Sequence, residues 1–449
     1  MKALFTASAL ALLLTSGSAL AAEPSAAIKP VTGRWDAVLT RNGAEIPFRL
    51  DIKGDGEALQ GVFYDGFTPY DGTTSASFKD GKLTLKAEHY LTTINASLEG
   101  GVLTGAAALQ GRESSSSYGF RAVRHVDAPA GAAPSGPSIA GNWVIPLDAP
   151  SSKGEKAFHF VVREQGDEIA ASILRIDGDT GSYTGKFKDG RYTLSHFDGG
   201  RPGVIVVTPK SDGTLEVRQR IDNPAQPAVA AAATPASDYA AASAPDGRYA
   251  PTLIALRPDA AQAKGLAAPD DPLKHTVARD ANEKFTFNFP DASGKLISSN
   301  DPQFKDKVVV AIVTGTWCPN CHDEAQYLVK LDKKYRDQGL RIVALSFEEP
   351  EQLTSLQRAK AFIKQYGVKY TYLFPGAPAE MWEKVPQLNH LDTWPATVFI
   401  GRDGKVNAVH SGFASPASGA FHTELKKDFT ARIEQLLAQN VPTNVAKLD

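Results

Sequence analysis

Val308-Val-Val-Ala-Ile-Val-Thr-Gly-Thr-Trp-Cys318-Pro-Asn-Cys321-His-Asp-Glu324 is the stretch on which the fold turns. Val308 to Val313 is a continuous apolar run rich in β-branched residues, as in a central strand covered on both faces. Leu328, Leu331 and Tyr335 then recur at helical spacing across residues 319–338. The two cysteines of this 449-residue chain both lie where strand gives way to helix. A Cys-x-x-Cys in that place reads as a redox dithiol. Cys318 stands at or just before the helix N-terminus, where unpaired N–H groups and the macrodipole stabilise a thiolate. A thiolate is the attacking species in thiol–disulfide exchange, and Cys321, one turn on, is near enough to resolve the mixed disulfide. Pro319 suits the first turn, because its missing N–H would be unpaired there anyway.

Other uses of the pair are weaker. A structural disulfide of this spacing closes a very short ring and stabilises little. Structural zinc takes four ligands, and there is no second cysteine pair. His322 adjoins Cys321 but points elsewhere on a helix, and His390, His410 and His422 are scattered. Neither a metal nor a cofactor is expected.

Working outward, Phe285, Phe287 and Phe289 alternate, and the turn Pro290 to Gly294 leads into Lys295-Leu296-Ile297 as a hairpin. Beyond the dithiol helix the pattern predicts a strand at 341–347, a helix at about 351–366 and a short strand at 370–374. Trp394-Pro395 precedes a strand at 396–400, an Asp403-Gly404 turn leads to 405–410, and an amphipathic helix covers about 420–439. Strands alternating with helices make residues 265–449 an α/β domain.

The preceding half reads differently. Ile46, Phe48, Leu50 and Ile52 alternate with the period of two of a half-buried strand, and Asp80-Gly81 joins Phe78 to Lys82-Leu83-Thr84-Leu85 as a tight hairpin. About 110 residues later the same features return. Gly33-Arg34-Trp35 matches Gly141-Asn142-Trp143, and Phe48, Leu50 and Ile52 match Phe158, Phe160 and Val162. Phe78-Lys79-Asp80-Gly81 matches Phe187-Lys188-Asp189-Gly190. Two copies of one antiparallel β domain, a barrel or sandwich, are expected over residues 28–126 and 138–258. Residues 127–137, rich in Ala, Pro and Gly, form a linker. The biased run 224–247 is another linker or a loop inside the second copy; Tyr249 to Arg257, matching Tyr118 to Arg124 as a closing strand, favours the loop.

Met1-Lys2, an apolar stretch to Leu14 and the ending Ala19-Leu20-Ala21 describe a secretory signal peptide over residues 1–21, cleaved after about Ala21. No cysteine at that site offers a lipid anchor. The expected address is therefore periplasmic, where disulfides persist. Forty-eight Lys and Arg against fifty Asp and Glu leave a formal charge of −2, which gives no footing for a nucleic-acid protein. With 42% hydrophobic and 22% charged residues, a wholly disordered or disulfide-rich chain is excluded.

From Gly265 onward the chain resembles the thioredoxin-like domain of the TlpA/ResA family. The likeness rests on Gly315-Thr316-Trp317-Cys318-Pro319-Asn320-Cys321 with Glu324, the early hairpin, the added strand–helix segment between Ser346 and Phe374, and Trp394-Pro395. The resemblance implies that Cys318 attacks and Cys321 resolves. It makes Pro395 a cis-proline facing the dithiol and has Trp394 offer backbone groups to an incoming peptide, with Trp317 and Pro319 beside it. It gives Glu324 a role in proton handling, although an acid in a first helical turn also complements the dipole without any catalysis. Thioredoxins carry a buried acid six residues before the first cysteine, and here that residue is Ile312. The two β domains resemble no family that can be named.

The function these readings imply is an extracytoplasmic thiol–disulfide oxidoreductase, a reductase of disulfides in exported proteins, with those proteins and an upstream thiol donor at the membrane as partners. Known dithiols of this type span roughly 150 mV, enough to turn a reductant into an oxidant. Two alternatives stand beside it. One is a binding or scaffold protein whose β domains capture a client, since no catalytic constellation stands out in residues 31–257. The other is a peroxidase of thioredoxin-like fold; such sites need Thr or Ser three residues before the reactive cysteine, and Gly315 occupies that position.

Overall fold

The computed structural model describes residues 31–110, 115–127, 135–220 and 250–439. The expected signal peptide, most of the linker and the biased run 224–247 lie outside the described residues.

Nine antiparallel strands between Gly33 and Arg124 follow one another as an up-and-down meander. The first, Gly33–Arg41, pairs both with Ala44–Lys53 and with the last, Ser115–Arg124, so the sheet curls into a near-barrel. Its seam falls between Thr68–Gly72 and Ser75–Lys79, where the Thr73 N–H donates to Gly61 O (2.8 Å) and the Thr74 N–H to Lys86 O (2.7 Å). Alternation dictates the interior: Ile46, Phe48, Leu50 and Ile52 are buried alongside Trp35, Leu39 and Ile94.

A second antiparallel sheet runs from Gly141–Pro146 to Leu253–Ala255, and paired N–H···O bonds of 2.8 Å between Val144 and Leu256 close it. The matched positions make matched contacts. The Trp35 Nε1–H donates to Val31 O (2.9 Å) and the Trp143 Nε1–H to Ile139 O (2.8 Å). Arg124 lies over the Trp35 ring at 4.1 Å, and Arg257 over Trp143 at 3.7 Å. Each guanidinium fills the space where Gly33 or Gly141 lacks a Cβ; both glycines have positive φ, 127° and 108°. The hairpins at Asp80-Gly81 and Asp189-Gly190 also turn with positive φ at both residues, the geometry that suits the strand twist. Phe197 of the second sheet enters the first core, edge-on to Phe48 (4.8 Å) and Phe63 (5.5 Å).

The C-terminal part carries a five-stranded sheet in the order Thr371–Leu373, Leu340–Ser346, Val308–Thr314, Ala396–Ile400, Val406–Ser411. The first three strands are parallel, Ala396–Ile400 is antiparallel to Val308–Thr314, and Val406–Ser411 is antiparallel to Ala396–Ile400, so it runs in the direction of the first three. Every residue of Val308–Thr314 is buried. Val308, Val310 and Ile312 face the helices Pro319–Tyr335 and Ala420–Ala438. Val309, Ala311 and Val313 face Phe285, Phe287 and the short helix Met381–Lys384. The expected helix at 351–366 is two helices, Pro350–Ser355 and Gln357–Tyr366, broken at Leu356 with φ 53°. The break lets the Arg358 N–H donate to Gln352 Oε1 (3.2 Å) while its guanidinium turns inward to the buried Glu348 and Glu349. Among the described residues no helix is long and apolar enough to cross a membrane.

Candidate active site

Cys318 is the N-cap of the helix Pro319–Tyr335, in extended conformation (φ −93°, ψ 117°), with Pro319 at the first helical position. Both cysteines are free thiols. The Cys318 thiol donates to Trp394 O (3.3 Å), and the Trp394–Pro395 bond is cis. Trp317 stands edge-on to Trp394 at 5.1 Å and is fixed by Nε1–H donation to Phe347 O (2.9 Å). The structure therefore brings Trp317, Cys318, Trp394 and Pro395 to one place. Cys321 lies behind, 1% exposed, and burial followed by its neighbour Cys318 pushes its thiol well up from the ordinary value.

Glu324 lies beyond the first helical turn and is 1% exposed. Burial raises its carboxyl to about 8 against a single bond donated by the Thr397 hydroxyl, so it is neutral at pH 7. That corrects the dipole reading: a neutral buried carboxyl one turn further in does not complement a helix N-terminus. Glu324 shares a void of about 10 Å³ with Cys321, Ile312, Tyr370 and Tyr372, room for roughly one water. Ile312, where thioredoxins carry a buried acid, and Glu324 thus line the same void.

The loop before Cys318 is held by groups not singled out in the sequence. The Thr316 N–H donates to Glu348 Oε1 (2.9 Å), its hydroxyl donates to Glu348 Oε2 (2.6 Å) and accepts from Arg358 Nε (3.0 Å), and its carbonyl meets His322 Nε2 (2.8 Å). All four side chains are buried. Burial lowers His322 to about 3, so its ring is neutral.

The β sheets reach the same helix end. His322 stacks on Tyr90 at 4.2 Å, and its Nδ1 meets the Tyr366 hydroxyl (2.9 Å), which donates to Asp71 of the first sheet (2.8 Å); Asp71 also meets His89 (2.8 Å). Asp323 accepts from Tyr70 and from Arg201 (3.4 Å). Burial raises Asp323 to about 7 against the opposing charge of Arg201, which also pairs with Asp198 at 2.6 Å. Asn320 Nδ2 donates to Asp177 O (2.9 Å) in the hairpin that links Glu168–Arg175 to Gly178–Asp179. The Asp179 carboxylate accepts from Ser415 N (2.6 Å), the Ser415 hydroxyl (2.9 Å) and the Ser418 hydroxyl (2.6 Å). Asn320, His322 and Asp323 were missed in the sequence, yet a signal was there. Spaced at 320, 322 and 323, they sit at about 0°, 200° and 300° around the helix, so at least one must be packed against something.

Residues 280–409 match the protein-family model described as the AhpC/TSA family. The thiol–disulfide oxidoreductase ResA of Halalkalibacterium halodurans is 28% identical over 142 residues, 30% of this chain and 71% of that protein. The ResA of Bacillus thuringiensis is 33% identical over 120 residues, 27% of this chain and 62% of that protein. The chain thus spans between about three fifths and seven tenths of these relatives. A solved structure, a putative thiol:disulfide interchange protein DsbE from Chlorobium tepidum, is 22% identical, with 34% of this chain and 98% of that chain covered and a TM-score of 0.28. The C-terminal region is a thioredoxin-like domain of the thiol–disulfide oxidoreductase kind, and the chain as a whole is multidomain.

Proposed function

We propose that this protein is an extracytoplasmic thiol–disulfide oxidoreductase that reduces disulfides in exported proteins, with the CPNC dithiol as its only redox centre. The observation that carries the reading is the pairing of a Cys318 thiol at a helix N-terminus with the Trp394 carbonyl beside a cis-proline. The Cys318 thiolate attacks one sulfur of a substrate disulfide, forming a mixed disulfide and releasing one substrate thiolate, which takes up a proton. Cys321 gives up its proton and attacks Cys318 Sγ, releasing the second substrate thiol. Two electrons pass to the substrate, whose disulfide becomes two thiols, and the enzyme dithiol becomes a disulfide. An upstream dithiol donor at the membrane reverses that oxidation. Glu324, a neutral acid around the void shared with Cys321, is placed to exchange the resolving proton through one water. Trp394 offers its backbone, and Trp317 and Pro319 their surfaces, to the substrate chain.

The signal peptide reading supports the extracytoplasmic address, and the matched Trp, Arg and Gly contacts support two copies of one β unit. We read the domains as residues 28–126, 138–258 and 265–449. A peroxidase is disfavoured on packing as well as pattern. A Cβ at Gly315 would stand 2.4 Å from Trp317 Nε1 and 2.8 Å from Phe347 O, leaving no room for Thr or Ser. The test is turnover of a peptide disulfide by the reduced full chain: Cys318→Ser is expected to abolish it, and retained turnover would overturn the reading.

A further inference from the structure

A cleft of about 460 Å³ lies between the second β sheet and the thioredoxin-like domain, within the ~300–1,000 Å³ range of ligand sites. Its floor follows directly from the dithiol site. Ser411 pairs with Ala396, the Gly412 N–H donates to Pro395 O (2.7 Å), and Phe413 and Ala414 continue into the cleft. Its opposite wall is the hairpin that holds Asn320. There, Gly178 pairs with Phe413, and a Cβ on Gly178 would stand 2.6 Å from both Asn320 Nδ2 and Phe413 O. One face of that hairpin therefore touches the dipeptide between the cysteines while the other borders the cleft.

The lining has two characters. Ile176, Phe413 and Leu425 give apolar surface. Asp270, Asp271, Glu424 and Asp428 bring carboxylates, whereas Arg175 is the one Lys or Arg of the lining and is itself paired with Asp177 (3.7 Å). Asp271 and Asp428 are partnered by Lys274 (3.2 Å) and Arg432 (2.6 Å); Asp270 and Glu424 are exposed and have no cationic partner among the described residues. Glu155 is buried, with its oxygens taken by Ile176 N–H and the Ser151 hydroxyl.

We infer that this cleft seats the polypeptide segment flanking the reactive disulfide of the substrate, and that it selects an apolar side chain next to lysine or arginine. The inference rests on the oxidoreductase reading above, since a chain laid along Trp394 and Pro395 continues onto Ser411 to Ala414. Apolar walls bury the aliphatic part, and the carboxylates meet the cation at the rim, where basic side chains keep their charge hydrated.

The test uses the full-length chain and two octapeptides, each with an internal disulfide and an adjacent leucine, flanked by two lysines or by two glutamates. Bis(2-hydroxyethyl) disulfide serves as a substrate too small to reach the cleft. The lysine peptide is expected to exceed the glutamate peptide about tenfold in kcat/KM, and 0.5 M salt to narrow the gap. Asp270→Lys with Glu424→Lys, both at exposed positions, is expected to cancel the preference and leave turnover of the small disulfide unchanged. Calorimetric binding of cysteine-free versions of both peptides reads the cleft independently of chemistry. Equal kcat/KM and equal binding for the two peptides, or a preference that survives the double substitution, would overturn the cleft. Failure to turn over any of the three disulfides, with the binding preference intact, would instead remove the oxidoreductase reading.

Discussion

Glu324→Gln replaces a buried acid by its neutral isostere and separates the cost of ionisation from the loss of packing. In the folded chain burial raises Glu324 from 4.5 to about 8, and the Thr397 hydroxyl is the one bond opposing it. Between those values the native state holds a proton that the unfolded chain has released, so stability is full below pH 4.5 and falls until pH passes 8. At ~1.4 kcal/mol per pH unit the span amounts to about 5 kcal/mol. Glutamine accepts the same Thr397 bond and has nothing to ionise. At pH 5 the variant and the parent should therefore lie within about 1 kcal/mol. By pH 9 the variant should be the more stable by up to about 5 kcal/mol. Urea unfolding of the reduced proteins at pH 5, 7 and 9 measures this, the β sheets contributing the same transition to both. Parallel stability profiles from pH 5 to 9 would show that Glu324 ionises freely in the fold, and the buried neutral acid would be wrong. If Glu324 also moves the resolving proton, the same substitution should slow turnover at pH 7 by about 100-fold or more.

Two further substitutions probe the β contribution. Gly178→Ala sets a Cβ 2.6 Å from Asn320 Nδ2 and Phe413 O at a φ of 121°, which should cost about 1–3 kcal/mol and push the hairpin off the dithiol helix. Faster proteolysis within 175–179 would report it, and an unchanged digestion pattern would contradict the close approach. Arg201→Met leaves Asp198 and Asp323 buried without their cation and should destabilise by about 3–5 kcal/mol in chemical denaturation. Adding Asp198→Asn should recover part of that loss; no recovery would mean that packing, not charge, was removed.

Much of this architecture was legible because it follows from short-range rules. The apolar run at Val308 cannot sit on a surface, and Asp80-Gly81 and Asp189-Gly190 supply the positive φ that a two-residue hairpin requires. Trp35 and Trp143 announced themselves by position, and their structural partners Arg124 and Arg257 lie near the matched ends of the two β regions. What stayed hidden is long-range. At closer range, the break at Leu356 went unmarked because no Gly or Pro stands there; it accompanies the turn of Arg358 toward Glu348 and Glu349, ten and nine residues back. Tyr70, Asp71, His89 and Arg201 carry no local sequence mark of the contacts they make. Their contacts reach two helices, Pro319–Tyr335 and Gln357–Tyr366, 122 to 295 positions away in the chain. Glu324 was singled out through the family resemblance, but its charge state depends on desolvation, which a motif does not encode.

The amount of β structure beside so small a dithiol follows from the kind of contact it makes. The helix end offers the sheets the Asn320 amide, the Asp323 carboxylate and the face of the His322 ring, so the junction includes a hydrogen bond, a buried charge pair and a ring stack. Buried pairs of this kind contribute little net stability, because desolvation offsets much of the attraction, but a displaced partner is strongly penalised. Such a junction is therefore steep in orientation even where it is modest in strength. It holds Gly178 against Asn320 and Asp179 against Ser415 and Ser418, on two sides of the segment that pairs with Pro395. A mobile recruiting module would need none of this registration. On the reading proposed above, the β region would be a fixed wall of the site, setting the side from which a substrate chain reaches Cys318.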